Sequence, residues 1–123
     1  EAQYWSYYCG IYLSLFKDDH LFQQQVERIE PSDSLFSLQQ LILGTYYLRR
    51  EQFPHAMKTI SAGIAYARPI DPWTAELMYQ SGVAYEAIED SKTAAAVYDE
   101  TAKFFPNSKW SKKAREAYDR IQP

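Results

Sequence analysis

Cysteine is nearly missing from this chain of 123 residues. Cys9 stands alone, so no internal disulfide can form and no thiolate cluster can complete a zinc site. In its setting "YYCGIY" it reads as a small buried apolar residue. Histidine is equally sparse. His20 and His55 fall in two different polar connections, and neither has a Cys, an Asp or a second His at ligand or triad spacing. No glycine-rich loop is present to cradle a phosphate. The chain is therefore expected to be neither an enzyme nor a metalloprotein, and no cofactor is implied. A basic surplus is lacking too: the formal net charge of −3 and pI near 5.3 argue against a general binder of nucleic acid or anionic membrane. No apolar run approaches the ~20 residues that span a bilayer, and no cationic stretch precedes an apolar one at the start. Direct membrane insertion by this segment is not expected. The opening "EAQYWSYY" enters a helical pattern without an initiating Met, which suggests a piece of a longer or processed protein.

What remains is ordinary globular material, 46% hydrophobic and 24% charged, with an aromatic content of 16%. Polar and proline-bearing clusters at 16–20, 30–34, 50–54, 68–72, 89–91 and 105–108 divide it into short segments. Within these the apolar period is helical. Ala94, Tyr98, Thr101 and Phe105 recur at i, i+4, i+7, i+11, as do Trp110, Ala114, Ala117 and Ile121. No segment alternates as a strand. Asp71-Pro72, Asp90-Ser91 and Asn107-Ser108 read as helix starts, and Pro54 suits a first turn. The reading is seven helices: 2–16 with 19–30, 33–50 with 54–67, 72–89 with 91–105, and a last one at about 108–122. Such short connections force antiparallel neighbours, so each pair is a hairpin. One hairpin cannot bury its apolar face alone. Stacked hairpins can, which predicts an all-α solenoid in a single domain over 1–123, with hairpins at about 2–30, 33–67 and 72–105. The last helix then serves as a cap, its outward side carrying Lys109, Lys112, Lys113, Arg115 and Asp119.

Glycine is scarce, with four in the chain, and each stands inside an expected helix at a cost of about 1 kcal/mol against alanine. Gly44, Tyr47 and Ala56 recur 38 residues later as Gly82, Tyr85 and Ala94. These positions read as equivalent points where two helices of one hairpin approach, small residue facing small residue. The set Gly82, Tyr85, Ala94, Tyr98 and Pro106 resembles the tetratricopeptide repeat family, as does Leu43, Gly44, Tyr47 and Ala56. Met78 and Thr101 depart from its pattern, and the proline of the earlier copy arrives one place late as Pro69. Gly10 begins a weaker copy in which Leu13 and Phe22 depart. The resemblance covers most of the chain, most strongly from 37 to 106. The ending "FFPNSKW" is also similar to repeat ends of bacterial envelope proteins, which would place the chain in an envelope complex.

This resemblance implies a concave groove lined by the first helix of each hairpin and holding a protein or peptide partner. Carried onto this chain, the groove would present Tyr4, Tyr7 and Ile11, then Leu41, Thr45 and Arg49, then Glu76, Tyr79, Val83 and Glu86. The family's carboxylate-clamping Lys and Asn are missing from these positions, so an apolar or aromatic segment is the expected ligand rather than an acidic tail. Two alternatives stay open at this point. One is a carrier of a small apolar ligand enclosed by the first hairpin and its tyrosines. The other is a structural module that self-assembles into a homo-oligomer or joins further helices of a longer array.

Overall fold

The computed structural model describes residues 35–122. They form five α-helices, and no strand occurs among the described residues: α1 Phe36–Arg49, α2 Phe53–Tyr66, α3 Thr74–Ala87, α4 Ser91–Phe104 and α5 Lys109–Ile121. Each lies within a few residues of a helix expected from the apolar period. The helices expected at 2–16 and 19–30 lie outside the described residues. The chain divides between Ala67 and Arg68 into two compact units. In the first, α1 packs on α2; in the second, α3 packs on α4, and α5 packs on both.

The 38-residue shift reappears in the coordinates with more members than the sequence pattern showed. A β-carbon built on Gly44 would strike the Ile60 side chain, and one built on Gly82 would strike the Tyr98 ring, at 2.7 Å from Cδ1 and closer still to Cε1. Ile60 and Tyr98 are themselves 38 residues apart. The expectation that Gly faces Ala is thereby corrected. Ala56 and Ala94 are buried, but the space above each glycine is filled by a large side chain one turn further along the second helix. A helix surface without a β-carbon leaves a notch, and a bulky neighbour fills it at the density of a protein interior.

The hairpin turns repeat as well. Glu51 and Glu89 both adopt left-handed backbone, at φ 57° and 66°. In the first turn the Gln52 amide donates to the Tyr47 carbonyl at 2.9 Å and the Glu51 amide to Leu48 at 3.1 Å; in the second, Asp90 donates to Tyr85 at 2.9 Å and Glu89 to Glu86 at 3.0 Å. This paired bonding satisfies the last carbonyls of a helix and normally uses glycine at the left-handed position, where a β-carbon is strained. Glu51→Gly and Glu89→Gly are each expected to stabilise the fold by about 0.5–1 kcal/mol, the relief of strain outweighing the added freedom of the unfolded chain. Urea unfolding midpoints check this; a lower midpoint for both variants would contradict it.

Local chemistry explains where the helices start. The Asp90 carboxylate accepts from the Thr93 amide at 3.2 Å, and the Ser108 hydroxyl oxygen accepts from the amides of Trp110 and Ser111, both at their helix N-caps. Asp71 does not cap α3 as its sequence suggested, and α3 starts at Thr74. Its buried carboxylate instead takes the Arg68 backbone amide at 3.0 Å and the Arg68 guanidinium at 2.8 and 3.2 Å, while Thr74 Oγ1 donates to the Arg68 carbonyl at 2.6 Å. Folded back on Arg68, the side chain cannot also reach the first amides of the helix. In the second unit Ala94, Tyr98, Ala114 and Ala117 form the core, with Tyr79, Val83 and Ile121 packed against them. The small side chains of α5 let it lie close to the α3–α4 hairpin.

Candidate partner-binding surface

Of the residues expected to line a groove, Tyr4, Tyr7 and Ile11 lie outside the described residues. Leu41 and Thr45 are not available to a partner: they are 0% and 3% exposed. The helix that carries them, "FSLQQLILGTYYLR", is apolar nearly all round and is buried on nearly all sides, as that pattern demands. The Thr45 hydroxyl has no hydrogen-bond partner among the described residues. Arg49 is exposed in the last turn of α1. Glu76, also expected at the surface, is 5% exposed. The open apolar face read from these positions is thus corrected at Leu41, Thr45 and Glu76.

Tyr79, Val83 and Glu86 are half-buried on the side of α3 that meets α5. The Tyr79 ring sits 5.7 Å from that of Tyr98 and 5.5 Å from that of Trp110, and it contributes to the floor of an open groove of about 430 Å³ between α3 and α5. The α5 side of this groove is made by Lys113, Glu116, Ala117 and Arg120. The sequence reading made α5 a cap with Lys113 on its outward side, and it did not single out Glu116, Ala117 or Arg120; the structure places all four at the groove. A signal existed: Lys113, Ala117 and Arg120 each stand 34 residues after Tyr79, Val83 and Glu86, the length of one repeat of the family resembled.

Charge at the groove is tied into the fold. Arg120 grips the Glu86 carboxylate at 2.6 and 2.9 Å, and the Tyr98 hydroxyl donates to the same carboxylate at 2.8 Å. The hydrogen bond from Arg120 holds Glu86 below the usual carboxylate range, and burial beside that carboxylate pushes the Tyr98 hydroxyl upward. Glu76 behaves oppositely. Burial pushes its carboxyl up to about 7, against the pull of Lys109, Lys113 and a hydrogen bond with Gln80. Lys109 and Lys113 both lie over the Trp110 ring at 4.9 Å. The cationic, aromatic rim they make was not foreseen from the first helices alone. Among the described residues, no three His, Cys, Asp or Glu side chains are grouped so as to hold a metal ion, and no helix is long and apolar enough to cross a membrane. Comparison of the chain with family models, with curated proteins and with solved structures finds no match.

Proposed function

We propose that the chain is a non-catalytic helical-repeat module of the tetratricopeptide type, whose hairpins stack as a solenoid and hold a segment of a protein partner. The observation that carries this reading is the repetition of one hairpin at a 38-residue shift, down to the filled glycine notch and the left-handed glutamate in the turn. A repeated unit of this kind has no interior built for chemistry. Its working asset is the surface that adjacent copies build between them. The packing of α5 across α3 and α4 supports the same view, since it is the arrangement that the first helix of a following hairpin would take. The groove so formed has an aromatic floor at Tyr79 and charged rims at Lys113, Glu116 and Arg120. A rigid ring contributes contact area at little entropic cost, and rim charges select among partners.

The test is a peptide-display selection against the full chain, with the selected sequences re-measured on the double variant Lys113→Glu, Glu116→Lys. Both positions are exposed, so the fold should be retained, with a melting temperature lower by at most a few degrees for the lost Lys113 contact with Trp110 and its pull on Glu76. Selected peptides are expected to bind the variant at least about tenfold more weakly, a difference of about 1.4 kcal/mol. Equal binding to both proteins would remove the groove as the partner site.

A further inference from the structure

We propose that the α1–α2 hairpin carries a separate site for a small organic anion, in the groove between its two helices. This goes beyond the partner groove of the other unit and shares no residue with it. The groove has a volume of about 370 Å³, within the range of small-molecule sites. Its apolar part consists of Leu43, Ala62 and the ring of Tyr47, which lies 5.3 Å from the His55 ring. Its polar part consists of Gln40, His55, Lys58 and Thr59. Among the described residues no acid lines it, in a protein whose formal charge is −3.

The internal repeat indicates which of these residues the fold needs. The two hairpins share the glycine notch, the buried alanine and the turn, so a residue required for the hairpin should have a similar counterpart 38 positions on. Tyr47 does, as Tyr85. The polar groups do not: Gln40, Lys58 and Thr59 correspond to Met78, Ala96 and Val97, and His55 to Thr93. Ala62 corresponds to Glu100, so the acid present in one copy is missing where the cation appears in the other. A hairpin of the same geometry therefore forms without these donors, and folding does not account for them. Gln40 is held in place by a 2.7 Å bond from its amide to Gln39, which leaves one N–H of that amide for a ligand.

Donors of this kind beside an aromatic and aliphatic floor fit a molecule with an anionic head and a flat apolar body. The head, carboxylate or phosphate, would meet Lys58, Thr59 and Gln40, and the body would lie along Tyr47, Leu43 and Ala62. A charge-assisted bond to the lysine supplies most of the preference for an anion.

Amide chemical-shift titration of the full chain tests this with benzoate, phenyl phosphate, inorganic phosphate and the uncharged benzamide as probes. The expected result is saturable, millimolar-range shifts confined to residues 40–62 with benzoate or phenyl phosphate, at least about tenfold weaker with benzamide and with Lys58→Gln. The stronger of the two ring-bearing anions identifies the head group, and weaker binding of inorganic phosphate identifies the floor as part of the site. Because Lys58 is exposed, its variant should keep the wild-type melting temperature. Equal binding of benzamide, undiminished binding to Lys58→Gln, or no saturable shift with either ring-bearing anion would overturn the proposal.

Discussion

Replacing Gly82 with leucine is expected to lower stability by several kcal/mol, with Gly82→Ala costing less but in the same direction. Even the alanine β-carbon would stand 2.7 Å from Cδ1 of Tyr98. That ring cannot yield easily: it is 1% exposed, stacked against Tyr79 at 5.7 Å, and anchored by its hydroxyl to Glu86 at 2.8 Å. Overpacking a rigid core costs about 1–3 kcal/mol or more, against about 1 kcal/mol recovered from alanine's better helix propensity. Gly44→Ala should destabilise in the same way, because a β-carbon there would strike Cγ1 of Ile60, a β-branched side chain that is 1% exposed and stiff about its first torsion. Urea unfolding of the three variants provides the comparison. If Tyr98→Leu is added to Gly82→Ala, the double variant should lose less than the sum of the singles, since each relieves the other's misfit. An unchanged midpoint for Gly82→Leu would mean that the notch does not hold the hairpin together.

Glu76→Gln should have the second largest effect, and its sign depends on pH. The Glu76 carboxyl is raised from 4.5 to about 7 by burial, so between those values the folded state binds more protons than the unfolded one. Stability from this group is fully present below about pH 4.5 and is lost as pH rises through 7, by about 3 kcal/mol for a shift of this size. Glutamine has no charge to desolvate. The variant is therefore expected to match the wild type near pH 4.5 and to exceed it by up to about 3 kcal/mol at pH 8. Glu86 adds the opposite dependence at lower pH. Arg120 depresses its carboxyl, so its contribution is present above the ordinary carboxylate range and is lost as pH falls through its lowered value. Thermal unfolding of wild type and Glu76→Gln from pH 4 to 8 separates the two, and parallel curves across that range would show that burial does not raise the Glu76 carboxyl.

The elements of the fold were largely legible before any coordinates. Periods such as Ala94, Tyr98, Thr101 and Phe105 define helices because a helix buries a stripe of every third or fourth residue. Polar punctuation placed the five described helices within a few residues of their ends. Asp71 shows why boundaries were less secure: the same side chain can cap a helix or fold back on an arginine three residues before it, and only the surroundings decide. The left-handed glutamates were illegible for a related reason. Nothing in Glu51 or Glu89 advertises a conformation that usually selects glycine, and the turn adopts it because the two helices must meet there.

The candidate surface was less legible than the fold. Tyr79, Val83 and Glu86 share one side of α3, because three- and four-residue spacing is a local property. Whether that side is open is not local. Leu41 and Thr45 have the same spacing and are buried. Lys113, Ala117 and Arg120 enter the groove only because α5 lies beside α3, a contact between residues more than thirty positions apart in the chain.

From the sequence alone come the helices, their pairing into hairpins and the equivalence of Gly44 with Gly82, all properties of spacing along one chain. Tertiary structure alone decided that Ile60 and Tyr98 fill the notches, that Leu41 and Thr45 are closed to solvent, and that the Glu76 carboxyl is pushed up to about 7. The reason is that burial and charge depend on which distant atoms exclude water from a site, and a residue's periodicity says which way it points but not what it meets there.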